Sequence, residues 1–125
     1  MLQLKELKKN RELINQIDWG MTPEQAVILY LEWGNNDCTN GKYAIRSKND
    51  FSYYFVINTW GKIPKIFLIK RNSDEAKELA EFEMPENVKK RFLDQTGNLK
   101  GVYSVEGDVK NWLQDELEVD DNFGN

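Results

Sequence analysis

Histidine is absent from this 125-residue chain and cysteine occurs once, at Cys38. Without imidazole there is no neutral-pH proton carrier and no histidine metal ligand, and one thiolate cannot complete a zinc site within one chain. Ser-His-Asp and Cys-His catalysis are excluded on the same ground. What remains is oxygen chemistry. Its densest stretch runs Asn35-Asn-Asp-Cys-Thr-Asn-Gly41. Read as a calcium loop starting at Asn36, it places Gly41 correctly at the sixth position. It also puts Cys38 at the third position and Ser47 where a bidentate glutamate belongs. The stretch reads better as a helix end followed by a turn. Gly34 suits the left-handed residue past the last helical turn, and Asn, Asp and Thr hydrogen-bond their own backbone. No GxGxxG or GxxxxGK[ST] phosphate cradle occurs, so no cofactor is assigned. Glu75, Glu78, Glu81, Glu83 and Glu86 read as a solvated acidic face, because catalytic carboxylates need burial or a close like charge to shift their pKa. Cys38 has no identifiable base and reads as inert. No catalytic and no metal-binding residue is assigned, and a divalent-metal enzyme is the reading with least support.

The positive signals are aromatic and cationic. Residues 42–71 carry seven basic groups against Asp50, a net of +6, in a chain whose total is −4. Residues 72–125 carry six basic and fourteen acidic groups, a net of −8, and residues 1–41 carry four and six, a net of −2. Trp19, Trp33 and Trp60 each precede glycine. Indoles at the ends of elements either seal the rim of a core or close over a partner. The candidate binding residues are therefore Trp33, Arg46, Tyr54, Asn58, Trp60, Lys62 and Arg71. Two uses follow from them. One is a protein partner or self-association at the Trp-Gly edges. The other is single-stranded nucleic acid on the basic segment 42–71, with bases stacked and phosphates paired. Against the second stands the apolar character of Val56, Phe67 and Ile69 on the same sheet face, which favours a covered sheet whose cations pair with the acidic C-terminal half.

These residues must be positioned by a small α+β domain. Leu4, Leu7, Ile14 and Ile17 recur at helical spacing and predict a helix over 2–17. Thr22-Pro-Glu-Gln25 starts a second helix that ends near Trp33. Strands are predicted over 42–47, 51–59 and 65–71, rich in β-branched and aromatic residues. They form a three-stranded antiparallel meander with Tyr53, Phe55 and Ile57 on one face. Gly101–Val105 reads equally as a fourth short strand or an extended connector. Asn72-Ser-Asp-Glu75 predicts a helix with Ala76, Leu79, Ala80 and Phe82 inward. Another helix carries Val88, Phe92 and Leu93 inward and ends at Gly97. A last one, capped by Asp108, runs from Val109 to about Leu117 with Trp112 and Leu113 inward. Residues 1–125 read as one domain, with 1–20 as a helical extension and 118–125 as a frayed tail. The N-terminal stretch lacks an apolar h-region, and no 18-residue apolar run exists, so no membrane attachment is expected. The lone cysteine favours a reducing, cytoplasmic setting.

Met21-Thr-Pro-Glu-Gln-Ala26, Leu31-Glu-Trp-Gly-Asn-Asn36, Ser52-Tyr-Tyr-Phe-Val56, Asn58-Thr-Trp60, Lys100-Gly-Val-Tyr103 and Val109-Lys-Asn-Trp-Leu113 together resemble a small family of uncharacterised bacterial proteins. The resemblance covers most of the chain past residue 20. It implies a compact α+β fold, supplies no catalytic or binding residue, and leaves the helix of residues 2–17 as an addition that docks or dimerises. The function expected is that of a non-catalytic protein-binding or regulatory module.

Overall fold

Burial on both faces of residues 52–58 sets the frame of the molecule. The computed structural model describes residues 1–20, 52–71 and 76–119. Strand β1 (Ser52–Asn58) runs antiparallel to β2 (Lys65–Arg71), with Phe55 opposite Leu68 and Ile57 opposite Ile66. Strand β3 (Ala76–Glu83) flanks β2, and β4 (Val102–Ser104) flanks β1, giving a four-stranded sheet in the order β3-β2-β1-β4. Helices α1 (Leu4–Lys8) and α2 (Arg11–Asn15) precede the strands, α3 (Glu86–Thr96) lies between β3 and β4, and α4 (Gly107–Glu116) follows β4. The α+β architecture is thus as expected, and Gly101–Val105 contains a strand. The expected helix over 22–33, the strand over 42–47, the loop at 35–41 with Cys38, and residues 120–125 lie outside the described residues.

The helices share one face of the sheet. Phe55, Ile57, Ile66, Leu68, Ala80 and Phe82 meet Leu7, Ile14, Val88, Phe92, Val109 and Leu113 in one core. Ring contacts cross it from Trp19 to Phe55 (5.4 Å), Phe55 to Phe82 (6.1 Å) and Phe82 to Trp112 (6.5 Å). Tyr53 packs against the same core, as its alternation with Phe55 and Ile57 requires. The opposite face is buried as well: Tyr54 is 1% exposed, and Val56 and Ile69 are 0% exposed.

Three elements differ from expectation. Residues 76–83 form a strand instead of a helix. Asn72-Ser-Asp-Glu75 and the Ala, Lys, Glu and Leu that follow are local helix signals, but β2 offers a ladder that propensity cannot see. In the strand, Ala80 and Phe82 turn to the core, and Glu81 reaches Lys65 across the ladder at 2.9 Å. A register shift beside Leu68 and Ile69 absorbs one extra residue, Leu79. Residues 2–17 form two short helices because Asn10 accepts a hydrogen bond from the Leu13 N–H (3.1 Å) and caps a new one. In α4, Glu106 holds the cap position and Asp108 sits in the first turn, where its charge meets the positive end of the helix dipole.

Residues 1–20 are built into the sheet at both margins. The Leu2 N–H donates to Leu79 O (2.9 Å) and Leu2 O accepts from the Glu81 N–H (3.0 Å) on the outer edge of β3. At the other end of the segment Ile17 bridges Tyr53, and the Asp18 N–H donates to Tyr53 O (2.8 Å). Between these anchors the Arg11 guanidinium donates to Leu117 O (2.6 Å) and Glu118 O (2.5 Å) at the end of α4. That end is a Schellman turn: the Val119 N–H donates to Gln114 O, the Glu118 N–H donates to Asp115 O, and Glu118 is left-handed at φ 53°. The matching turn after α3 uses Gly97, at φ 65°.

Candidate functional site

The candidate residues separate into distinct places. Trp33 and Arg46 lie outside the described residues. Tyr54 is on the second, buried face of β1. Arg71 ends β2 opposite Ser52 and Ala76. Asn58, at the other end of β1, pairs with Lys65. Six strand steps thus separate Arg71 from the Asn58 end, about 20 Å at the usual rise, so those two positions do not share a site. Asn58, Trp60 and Lys62 do come together. The Asn58 Oδ1 accepts from the Trp60 N–H at 2.9 Å, turning the chain out of the strand.

Thr59 ties this turn to a second loop far along the chain. Its side chain is 2% exposed. The Thr59 N–H donates to Gly101 O (2.9 Å), and its Oγ1 accepts from the Gly101 N–H (2.8 Å). Its single hydroxyl proton has two carbonyls within reach, Gly101 O at 3.1 Å and Leu99 O at 3.4 Å. Tyr103 anchors the same loop by donating its hydroxyl to Leu99 O at 2.7 Å, and its ring meets Phe92 edge-on at 5.3 Å. The Lys100 Nζ donates across to Gly61 O at 3.3 Å. Segments 59–64 and 98–101 therefore form a single tip at one end of the sheet.

That tip is apolar and exposed. Trp60 is 67% exposed, Leu99 69% and Ile63 42%. Among the described residues only Met1 is a further large apolar side chain with such exposure. The tip loops contain Lys62 and Lys100 and no carboxylate. Lys65, just behind them, is engaged. Its ammonium is held above the ordinary value of 10.5, first by the hydrogen bond to Glu81 and then by that carboxylate's charge.

Acid–base and metal chemistry find little to work with among the described residues. No three acidic or cysteine side chains are grouped to hold a metal ion there. Glu81 is paired with Lys65, and Glu86 with Lys89 at 2.7 Å. An open groove of about 670 Å³ runs beside α1 and β3. Its charged lining mixes Lys5, Lys8 and Lys65 with Glu81, Glu83 and Glu116, so the two signs compensate. No described helix is long and apolar enough to cross a membrane.

Sequence reasoning named Asn58, Trp60 and Lys62 but missed Ile63, Leu99 and Lys100. Leu99 carried a usable signal: a large apolar residue in a polar connector, beyond Gly97-Asn98 and outside any helical period. Its nearness to Trp60 carried none, because the Thr59–Gly101 bonds join residues 42 apart in sequence. Comparisons of the chain with protein-family models, with curated proteins and with solved structures find no match.

Proposed function

We propose that the protein is a non-catalytic binding module of the cytoplasm whose partner surface is the tip formed by Trp60, Ile63 and Leu99. One observation carries this reading. Two loops distant in sequence are hydrogen-bonded together so that three large apolar side chains point to solvent. With about 250 Å² for a whole tryptophan, Trp60 exposes roughly 170 Å², and its burial is worth about 4 kcal/mol before the costs of association. That is the size of an interface hot spot, and tryptophan is enriched among them. The single cysteine supports the reducing compartment. The burial of Tyr54, Val56 and Ile69 weighs against single-stranded nucleic acid lying across the sheet, because it removes the stacking platform that mode needs.

The test is affinity capture with the wild type and with a Trp60→Ser/Leu99→Ser variant, alongside sedimentation to detect self-association. Exposed residues contribute little to folding, so the variant should keep its melting temperature. Loss of a captured partner, or of a sedimenting oligomer, supports the reading. A well-folded variant that retains every partner and the same oligomeric state overturns it.

A further inference from the structure

We infer that the tip receives an acidic segment of a partner protein that also carries large apolar side chains. The inference rests on the tip being a partner surface and adds the partner's chemistry. Three observations support it. The loops 59–64 and 98–101 present two cations and no acid, on a chain whose formal charge is −4. Lys65 is already neutralised by Glu81 at 2.9 Å, which leaves Lys62 and Lys100 as the tip's cations, the latter held beside Gly61 O at 3.3 Å. The apolar groups sit on the same two loops as these lysines, so apolar contact and charge pairing fall on one footprint. The chain is net acidic while these two loops are cationic, so an acidic partner is drawn to the tip in preference to the protein as a whole, which steers the encounter and fixes its orientation.

Other occupants fit less well. In a symmetric pair of tips the same patch faces itself, which sets Lys62 and Lys100 of one copy against those of the other. A bilayer of anionic lipid or a nucleic acid strand would have to hold a net-acidic protein through two cations, each worth about 1 kcal/mol near an anionic surface.

Labelled synthetic peptides test the inference by fluorescence anisotropy. One alternates Asp or Glu with Leu and Phe, a second replaces the acids by Lys, and a third replaces the apolar residues by Ser. The first peptide should bind at least about tenfold more tightly than either of the others, and more weakly as salt rises. Lys62→Glu/Lys100→Glu and, separately, Trp60→Ser should each weaken it about tenfold with the melting temperature unchanged. Equal binding of the acidic and basic peptides, or indifference to the charge reversal, overturns the inference. So does Trp60-dependent binding of phosphatidylserine vesicles or of an oligonucleotide in place of the acidic peptide. Trp60-dependent binding of the basic peptide rejects the acidic partner and leaves the tip a docking surface. Failure of all peptides, together with partners retained by the Trp60→Ser/Leu99→Ser variant, rejects both.

Discussion

Replacing Arg11 by methionine tests how α2 is joined to the end of α4. The arginine donates to Leu117 O at 2.6 Å and Glu118 O at 2.5 Å, with a weaker approach to Lys8 O at 3.3 Å. Methionine keeps most of the apolar stem and removes the guanidinium. A hydrogen bond from a charged donor contributes about 1.5–3 kcal/mol when shielded. The bond to Glu118 is exposed and the one to Leu117 half-buried, so the lower half of that range applies to the pair. The positive charge at the carbonyl end of α4 adds a further fraction of a kcal/mol. The sum is about 2 kcal/mol. For a domain of this size each kcal/mol moves the melting temperature by about 3–5 °C, so the expected fall is roughly 6–10 °C. Thermal and urea unfolding followed by circular dichroism would measure it. Arg11→Lys retains the charge but cannot span two carbonyls with a planar fork, and should recover about half the loss. If Arg11→Met melts within about 2 °C of wild type, or if lysine restores full stability, these two hydrogen bonds do not hold α2 to the end of α4.

Glu118→Gly should raise stability by about 0.5–1 kcal/mol, because glycine occupies the left-handed position without the side-chain penalty; a lower melting temperature would count against the Schellman geometry described for α4. Leu113→Ala, at a site with 0% exposure, should cost about 3–5 kcal/mol in chemical denaturation. Ala80→Glu should unfold the protein, since residue 80 is 0% exposed in the core, whereas Lys77→Glu, at an exposed position, should change stability by no more than about 0.5 kcal/mol; a stably folded Ala80→Glu variant would refute the packing described for β3. The Lys65–Glu81 pair should show in alkali. Because the folded state holds the Lys65 ammonium above its ordinary value of 10.5, the pair's contribution is whole below that pH and disappears as the pH climbs past it. The stability difference between wild type and Lys65→Met should therefore shrink in that window, and a constant difference would show that the pair is not what separates them.

Legibility followed how local each signal was. Strands β1 and β2 were readable because aromatic and β-branched residues dominate their seven positions, and the burial of both sheet faces followed from Val56, Phe67 and Ile69 sharing a side. The end of α3 was readable because Gly97 is the residue a left-handed cap wants. Strand β3 was misread because Ala76-Lys-Glu-Leu-Ala-Glu is composed of helix formers, and only pairing with β2 makes it a strand. The break at Asn10 was readable in principle, as a capping residue in the middle of a helical period. For the site, an exposed Trp60 beside Lys62 could be named from sequence. The tip as a unit could not, because it depends on the buried Thr59 hydroxyl finding the backbone of Gly101.

The double anchorage of residues 1–20 has a consequence for how the chain matures. Leu2 seats on a strand that begins at residue 76, and Arg11 seats on carbonyls at 117 and 118. Residues 1–20 therefore have nowhere to settle until the chain has been made as far as residue 118, which selects for slow, late closure over piecemeal assembly. It also guards the rim of β3: a variant shortened by its first three residues would leave backbone donors and acceptors there bare, inviting strand-to-strand stacking between molecules.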